Sequence, residues 1–245
     1  MLEGMALEGT EGKAEAAGKR TTQLILVTGF LGSGKTTFLH EDIKDTEAQK
    51  KVTLLNERGQ FQVKPSDAFP DSYKLSMGSC LLKTINSLLV YGYDYIFVET
   101  SGFAQASVLH QLVTHAAARS HGRLRFRGMI CIIDALRFLK LVATVASLYE
   151  QVIYADCFVL SKSDLAEQQD LEKIQETLQV MRPQAPIFIR DRPPVSFGTL
   201  LSTIQEPLPA LSKPTSPGSR IPDILSPTLN CSKPGSIRNV QQYAS

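Results

Sequence analysis

Gln23-Leu-Ile-Leu-Val-Thr28 is an apolar run that leads directly into Gly29-Phe-Leu-Gly-Ser-Gly-Lys35-Thr36-Thr37, and a helical pattern follows. The second stretch fits G-x-x-x-x-G-K-[ST] between a predicted strand and a predicted helix, as that motif requires. Glycines let the backbone turn tightly and approach phosphates, so that the N–H groups of the loop and of the helix N-terminus point at a β-phosphate. We therefore predict a phosphate-binding loop, the P-loop, with nucleotide contacts from Gly29, Gly32, Ser33, Gly34, Lys35, Thr36 and Thr37.

Two side chains of the P-loop carry predicted chemistry. Lys35 places a compact positive charge on the β- and γ-phosphate oxygens, and the Thr36 hydroxyl supplies an oxygen to Mg²⁺. The alternative interpretation is a glycine-rich turn without a ligand.

A second candidate segment is Asp94-Tyr-Ile-Phe-Val-Glu99-Thr-Ser-Gly102, an apolar strand that ends in an acid and a turn of small residues. A P-loop site needs a carboxylate at the end of a neighbouring strand to hold Mg²⁺ or its water. Glu99 is predicted to fill that role, and Gly102 to bring its backbone N–H to the γ-phosphate. Alternatively, Glu99 caps the following helix.

Asn56-Glu57-Arg58-Gly59 follows another apolar run and is predicted to reach the same edge of the sheet. Glu57 is a candidate catalytic residue, together with Lys35 and Glu99, because it could contact the metal or orient the attacking water. A loop that responds to the γ-phosphate is a common switch device. Asn-Glu-Arg-Gly is equally compatible with a solvated turn.

Cys157-Phe-Val-Leu160 leads into Ser161-Lys162-Ser163-Asp164, which resembles the N-K-x-D loop of GTPases with serine in place of asparagine. In such a loop the aspartate accepts two hydrogen bonds from guanine, whereas adenine lacks that donor pair. The lysine stem covers the base. We predict guanine binding by Ser161, Lys162 and Asp164, with looser affinity because serine is shorter and has fewer donors. The alternative is a turn in which Asp164 caps the next helix.

Apolar runs alternate with helical patterns through the middle of the chain, which predicts βαβ units and a mostly parallel sheet covered on both faces. The predicted strands are Gln23–Thr28, Lys51–Leu55, Tyr95–Glu99, Gly128–Ile133, Cys157–Leu160 and Pro186–Ile189. The predicted helices are Lys35–Lys44, Gln105–Arg119, Ala135–Tyr149, Ala166–Met181 and Phe197–Gln205. The fold class is therefore α/β, a three-layer P-loop NTPase.

Composition sets the domain organisation and excludes several classes of function. The chain has 245 residues, a net charge of +2 and 43% hydrophobic residues. We expect a polar disordered tail over residues 1–20, a P-loop domain over residues 21–206, and a disordered tail rich in proline and serine over residues 207–245. The small charge argues against nucleic acid or membrane as a partner. The four cysteines show no disulfide pattern, so we expect a reducing, cytoplasmic location.

These motifs together resemble the CobW/HypB/UreG family of P-loop GTPases, closest to its CobW-like branch, over residues 24–190. Ile132-Ile-Asp-Ala135 adds a weaker point of similarity. The resemblance implies a SIMIBI-like fold, slow Mg²⁺-dependent GTP hydrolysis, and delivery of metal or a metal cofactor such as cobalamin or zinc to a client metalloprotein. It is also compatible with a homodimer.

The chain departs from the family pattern at its metal motif. The family's Gly-Cys-x-Cys-Cys should fall at Gly78, where this chain has Gly78-Ser-Cys80-Leu-Leu82. One thiol cannot form the multi-thiolate site that zinc prefers. Cys80 is thus either an idle cysteine, the simpler interpretation, or one zinc-type ligand of a site that a partner chain completes. His110, His115 and His121 are five and six residues apart, so they do not share one helix face.

Two functions therefore stay open from the sequence. The first is a GTPase that assists metalloenzyme assembly. The second is a nucleotide-responsive interaction module with little turnover and no metal delivery, which the altered cysteine motif and the lack of a recognisable second domain favour. An ATPase of the same class is a third reading, and Asp164 argues against it.

Overall fold

The computed structural model describes residues 21–41, 50–57, 60–64, 75–76, 79–190, 196–204 and 206–209, with backbone alone given for residues 56–57, 60–64, 75–76 and 79–80. Eight strands form one sheet in the order β4-β3-β2-β5-β1-β6-β7-β8. The strands are β1 (Thr22–Thr28), β2 (Lys51–Glu57), β3 (Gln60–Lys64), β4 (Leu75–Ser76), β5 (Tyr95–Glu99), β6 (Leu124–Asp134), β7 (Cys157–Ser161) and β8 (Ile187–Ile189).

Six neighbouring strands, from β2 to β8 across the sheet, run parallel, and β3 and β4 extend the sheet as antiparallel strands. The helices are α1 (Lys35–Glu41), α2 (Ser79–Leu88), α3 (Ala106–Arg119), α4 (Phe138–Leu141), α5 (Ala146–Ile153), α6 (Gln168–Met181) and α7 (Phe197–Thr203). This confirms the predicted α/β class with a mostly parallel sheet.

The sheet is buried on both faces because side chains alternate along each strand. In β1, Leu24 and Leu26 pack with α2 and α3, whereas Ile25 and Val27 pack against α1 and α7. The face that carries α3 continues to α5 and α6, which pack on Phe158 of β7. The protein therefore has three layers, as the βαβ pattern predicts.

All six predicted strands are present, but one predicted helix is wrong. Ala135–Tyr149 is not continuous: α4 ends at Leu141, and α5 begins at Ala146 after an extended Val145. The β-branched residues between them lower helix propensity, and Thr144 bonds its side chain back to the Leu141 carbonyl oxygen. Two short helices therefore replace the predicted one.

Three elements lie where the sequence predicted none: α2, β3 and β4. β2 also continues through Asn56 and Glu57, which were expected in a loop, and Glu57 pairs with Gln60 of β3. The predicted ends of α1 at Lys44 and of α7 at Gln205 fall on residues outside the described part, and so do both predicted tails except residues 207–209.

A buried carboxylate fixes the chain beyond α7. Asp156 lies just before β7 and accepts hydrogen bonds from the backbone N–H of Met129 at 2.7 Å and of Leu208 at 2.6 Å. Arg182 donates to the carbonyl oxygen of Pro209 at 2.8 Å. Burial raises the pKa of Asp156 to about 6, against the effect of these N–H donors and of Arg182. Residues 206–209 are thereby attached to the amino-terminal end of β7.

Cys131 and Cys157 are buried and unpaired by disulfides, and burial raises the pKa of each thiol. This confirms them as small core residues. Within the described ranges no helix is long and apolar enough to cross a membrane.

Candidate functional site

The candidate site lies at the carboxyl ends of the central parallel strands, which meet at one edge of the sheet. β1 lies between β5 and β6, and β7 lies beyond β6. Val27 is level with Glu99, and Asp134 is level with Ser161. The P-loop, the acidic turn after β5 and the loop after β7 therefore stand side by side, as predicted.

The P-loop has a backbone that requires glycine. Gly29 has φ of 143°, and a Cβ there would collide with the Ile132 carbonyl oxygen and the Ser33 hydroxyl. Gly32 and Gly34 also have positive φ, a region that glycine enters at little cost. The loop thus has the tight curvature that brings backbone N–H groups to a phosphate.

Lys35 folds over this loop. Its ammonium donates to the carbonyl oxygens of Gly29 at 2.9 Å and Phe30 at 3.1 Å. Burial lowers the pKa of Lys35, and the nearby Glu99 carboxylate acts in the opposite direction. The ammonium therefore lies at the mouth of the loop, within the curve where a β-phosphate would bind.

Thr36 and Glu99 meet although 63 residues separate them. The Thr36 hydroxyl donates to one carboxylate oxygen of Glu99 at 2.8 Å. The other carboxylate oxygen of Glu99 is buried without a hydrogen-bond partner among the described residues. A hydroxyl beside an unsatisfied carboxylate oxygen is a donor set that suits Mg²⁺. Since α3 begins at Ala106 after Gln105, the alternative that Glu99 caps this helix is wrong.

Gly102 packs directly on the P-loop. A Cβ at Gly102 would lie 2.6 Å from the Leu31 backbone nitrogen and 2.9 Å from its Cα. Phe30 and Phe103 contact each other edge to face, with ring centroids 5.4 Å apart. The turn after Glu99 is therefore in contact with the loop, and glycine is needed for the close approach.

The described part places Glu57 at the carboxyl end of β2, beside β5 and at the same edge of the sheet. Its side chain is outside the described part, as is that of Cys80, the second residue of α2. The predicted roles of both therefore stay predictions.

Ser161 is attached to the P-loop. Its hydroxyl lies 2.7 Å from the Ser33 carbonyl oxygen and 3.1 Å from the Ile133 carbonyl oxygen, and the side chain is buried. A hydroxyl has one proton to donate, and both neighbours are acceptors. The serine that replaces asparagine is thus committed to protein contacts.

Lys162 and Arg137 both bind the Asp134 carboxylate, and each also donates to a carbonyl oxygen of the P-loop. Lys162 donates to Asp134 at 2.7 Å and to the Gly32 carbonyl oxygen at 3.0 Å. Arg137 donates to Asp134 and to the Leu31 carbonyl oxygen, each at 2.8 Å. Burial alone would raise the pKa of Asp134, but the hydrogen bonds and charges of Lys162 and Arg137 outweigh it and hold the pKa below its ordinary value.

Asp164 lies in the short 3₁₀ turn Ser163–Leu165, and its side chain is exposed. The residue before α6 is Glu167, so the alternative that Asp164 caps that helix is wrong. Lys162 adopts φ of 58°, which turns the chain sharply between Ser161 and Asp164. Asp164 is consequently presented to solvent, whereas Ser161 and Lys162 bond to the P-loop.

The sequence did not single out Arg137 or Gln151, which contact the site through Leu31 and Gly102. Asp134 lies within Ile132-Ile-Asp-Ala135, a weak point of similarity that predicts no role for it. Arg137 carries no pattern of its own. A signal for Gln151 exists: it is a polar residue at a position of α5 that is buried among apolar neighbours.

The described residues contain no group of three histidine, cysteine or acidic side chains that could hold a metal ion. The His110 ring packs against Phe126 and Tyr154, and burial lowers its pKa. His115 lies 3.5 Å from Arg119 on the same helix. These histidines therefore do not converge, as their spacing predicts.

Comparison with known proteins gives one family. The model described as "CobW/HypB/UreG, nucleotide-binding domain" matches residues 23–189. The chain is 26% identical to the zinc chaperone YjiA of Escherichia coli over 195 residues, which cover 73% of this chain and 60% of that protein. It is 25% identical to zinc-regulated GTPase metalloprotein activator 1 of Schizosaccharomyces pombe, over 62% of this chain and 42% of that protein.

The crystal structure of Zn(II)-bound YjiA GTPase from E. coli superimposes with a TM-score of 0.58 at 22% identity, covering 79% of this chain and 66% of that one. This similarity supports the fold. The chain spans 60% and 42% of the length of the two relatives above.

Proposed function

Because this chain belongs to the CobW/HypB/UreG family of nucleotide-binding domains, we propose that it binds GTP with Mg²⁺ and hydrolyses it slowly. We further propose that the GTP cycle serves the delivery of a metal, or of a metal cofactor, to a client metalloprotein. The fold, the P-loop and the position of Glu99 support the first part. The names of the relatives support the second.

One contact carries the nucleotide proposal: the hydrogen bond between Thr36 and Glu99, with one Glu99 oxygen left unsatisfied. Mg²⁺ neutralises developing charge between the β- and γ-phosphates when it is bound. Thr36 and Glu99 would hold the ion or its water. The unsatisfied Glu99 oxygen is available for that contact. Lys35 would leave the loop carbonyls for phosphate oxygens.

Calorimetric titration with GTP, with Mg²⁺ and with EDTA, tests this proposal. We expect Mg²⁺ to tighten GTP binding, and slow phosphate release to require it. Glu99→Gln should lose most of the Mg²⁺ dependence while still binding nucleotide. Glu172→Gln on exposed α6 is the matched control and should behave as the wild type. Equal GTP affinity in Mg²⁺ and EDTA would contradict the proposed metal site.

Guanine recognition is proposed for Asp164, because its exposed carboxylate follows Ser161 and Lys162 in the loop after β7. Catalytic positioning of water is proposed for Glu57 on the strength of its place at the end of β2. Glu57→Gln, compared with wild type in single-turnover GTP hydrolysis, should reduce the rate without weakening GTP binding. Unchanged turnover would remove Glu57 from the mechanism.

For metal delivery, we propose that a client supplies ligands that the described part of this chain lacks. A zinc or cobalt titration against a chromogenic chelator, with and without GTP, tests whether the chain alone binds metal. Cys80→Ser is the informative variant, with buried Cys131→Ser as a comparison for nonspecific thiol effects. Metal binding that Cys80→Ser abolishes would support a zinc-type role for Cys80.

The alternative function is a nucleotide-responsive interaction module with little turnover. One observation favours it. The side chain of Phe103, directly after Gly102, is 63% exposed and has no polar atom that could orient water. Leu31 is 59% exposed beside it. GTP binding with no measurable phosphate release and no metal binding would favour the module.

Cytoplasmic location and a homodimer are further parts of the proposal. Cell fractionation checks the location, and light scattering checks the oligomeric state.

A further inference from the structure

The carbonyl oxygens of the P-loop are contacted by side chains in two groups. The first two, at residues 29 and 30, accept from the Lys35 ammonium at the mouth of the loop. The next three, those of Leu31, Gly32 and Ser33, lie within hydrogen-bond distance of donors that belong to other elements. Five consecutive peptide groups of the loop are therefore oriented by side chains.

The second group of carbonyl oxygens is contacted from one side of the sheet. Arg137 follows β6, Ser161 is the last residue of β7, and Lys162 comes directly after it. Both strands lie on the same side of β1, from which the P-loop continues. In a trans peptide the N–H points opposite to the carbonyl oxygen. The N–H groups of these three peptides therefore face away from β6 and β7.

One of these N–H groups shows where that direction leads. The peptide whose carbonyl oxygen belongs to Gly32, the acceptor of Lys162, has its N–H on Ser33. This N–H donates across the loop to the Phe30 carbonyl oxygen at 3.1 Å. The same oxygen is an acceptor of the Lys35 ammonium. An N–H opposite a carbonyl oxygen held in this way thus points into the loop, toward the side where the ammonium lies.

The neighbouring peptide, with its carbonyl on Leu31 and its N–H on Gly32, is held by Arg137. The guanidinium is itself fixed by the buried Asp134 carboxylate, which also accepts the backbone N–H of Leu136 at 3.0 Å. Its Nη2 lies 2.8 Å from the place that a Cβ on Gly32 would take, so glycine is needed for this approach. A guanidinium suits the arrangement because it presents several donors in fixed directions.

We propose that Arg137 is a positioning residue for the phosphates of the nucleotide. By holding the Leu31 carbonyl oxygen outward, it keeps the Gly32 N–H directed into the loop before a phosphate binds. Without Arg137 this peptide can turn, because glycine rotates at little steric cost, and phosphate binding must then order it. The proposal rests on the proposed GTP binding and adds a residue outside the motifs.

The first experiment compares GDP and pyrophosphate binding, measured by titration, in the wild type and in Arg137→Met. Both ligands should bind about tenfold more weakly to the variant, the factor that one hydrogen bond represents. Pyrophosphate has no base, so an equal loss places the effect at the phosphates. Unchanged affinities would overturn the proposal, and so would a loss confined to GDP. If the wild type itself binds neither ligand, the proposed function has failed.

Arg125→Met is the matched control for the binding experiment. Arg125 is 48% exposed against 44% for Arg137, and it also pairs with a carboxylate, that of Glu206. It lies near the start of β6, whereas Arg137 follows the end of that strand. Arg125→Met removes the same charge and should bind both ligands as the wild type does. An equal loss in the two variants would overturn the proposal.

A second readout separates the holding of the peptide from the loss of a positive charge, which by itself weakens anion binding. In protein labelled with ¹⁵N-glycine and free of nucleotide, the order parameter of the Gly32 amide should fall from about 0.85 to below about 0.6 in Arg137→Met. The Gly34 amide is the internal control, because the carbonyl oxygen of its peptide contacts Ser161. A rigid Gly32 amide in the variant would overturn the proposal.

The same measurement on the wild type covers the case in which Arg137→Met does not fold. Before any ligand is added, the Gly32 amide should be as rigid as that of Gly34. Pyrophosphate should then shift the Gly32 signal without raising its order parameter, since the peptide is already oriented. A mobile Gly32 amide that becomes rigid only with pyrophosphate would overturn the proposal.

Discussion

The site has two ends, the P-loop with Glu99, here called the phosphate end, and the loop after β7, here called the base end. They differ in where their polar groups point. At the phosphate end, Lys35, Thr36 and Glu99 face the curve of the P-loop, and one Glu99 oxygen is unsatisfied. At the base end, Ser161 and Lys162 bond to the P-loop, and the Asp164 carboxylate is exposed. The comparison indicates that Ser161 and Lys162 support the P-loop, and it leaves Asp164 available for the base recognition that we propose.

The strongest test of the phosphate end is Lys35→Ala. Removing the ammonium deletes charge-assisted hydrogen bonds to phosphate oxygens, so GTP and GDP should both bind at least about a hundredfold more weakly. Calorimetric titration measures this, with the exposed Lys173→Ala on α6 as control. Wild-type affinity in Lys35→Ala would place the phosphates elsewhere.

The strongest test of the base end is Asp164→Asn. Guanine would lose a charged acceptor, and xanthine, which carries an oxygen at position 2, would gain a donor. We expect GTP to bind about ten to a hundred times more weakly and XTP to bind more tightly. Competition binding with both nucleotides checks this, with Asp170→Asn as control. If the preference for GTP over XTP persists, the assignment of the base loop is wrong.

Ser161→Ala separates the two tasks of the loop. The variant removes a buried hydrogen bond to the P-loop, worth about 1 kcal/mol, without touching Asp164. GTP and ITP should both bind about fivefold more weakly, and the ratio between them should not change. Nucleotide competition gives the answer, with Ser202→Ala on α7 as control. A change in the GTP-to-ITP ratio would mean that Ser161 reads the base directly.

The smallest expected effect concerns Asp134, which joins the two ends. Its pKa in the folded protein lies below the ordinary 3.8, so its contribution is fully present above that pH. The contribution is lost as pH falls through the lowered pKa. The unfolding midpoint of the wild type should therefore exceed that of Asp134→Asn by a constant amount near neutrality. That gap should narrow below about pH 4, as urea titrations at several pH values would show.

Local patterns were sufficient for the central sheet and the P-loop. Six strands and the loop between β1 and α1 follow from runs of apolar residues and from glycines at fixed spacing, which are properties of neighbouring residues. β3 and β4 could not be predicted in this way, because their pairing depends on long-range partners rather than on their own composition. The break between α4 and α5 was missed because the periodic apolar residues on either side predict one continuous helix. The four residues at the break have low helix propensity, which counted for less in the prediction.

The site was predictable in its motif residues and not in its supports. Thr36 and Glu99 could be assigned to one site in advance because a P-loop site needs a hydroxyl at the start of the helix and an acid at the end of a neighbouring strand. Arg137 and Gln151 reach the P-loop and the turn after Glu99 through the backbone carbonyls of Leu31 and Gly102. A residue that acts on a backbone group leaves no characteristic partner in the sequence, so its partner is identified from the three-dimensional structure.

The attachment of Leu208 to Asp156 has a practical consequence. Asp156 lies at the start of β7, and Ser161 lies at its other end, five residues further on, or roughly 17 Å along a strand. A dye or affinity handle joined after Pro209 would thus begin at the end of the domain remote from the P-loop. Such a label should leave nucleotide exchange unobstructed, which makes that end the natural anchoring point for surface immobilisation.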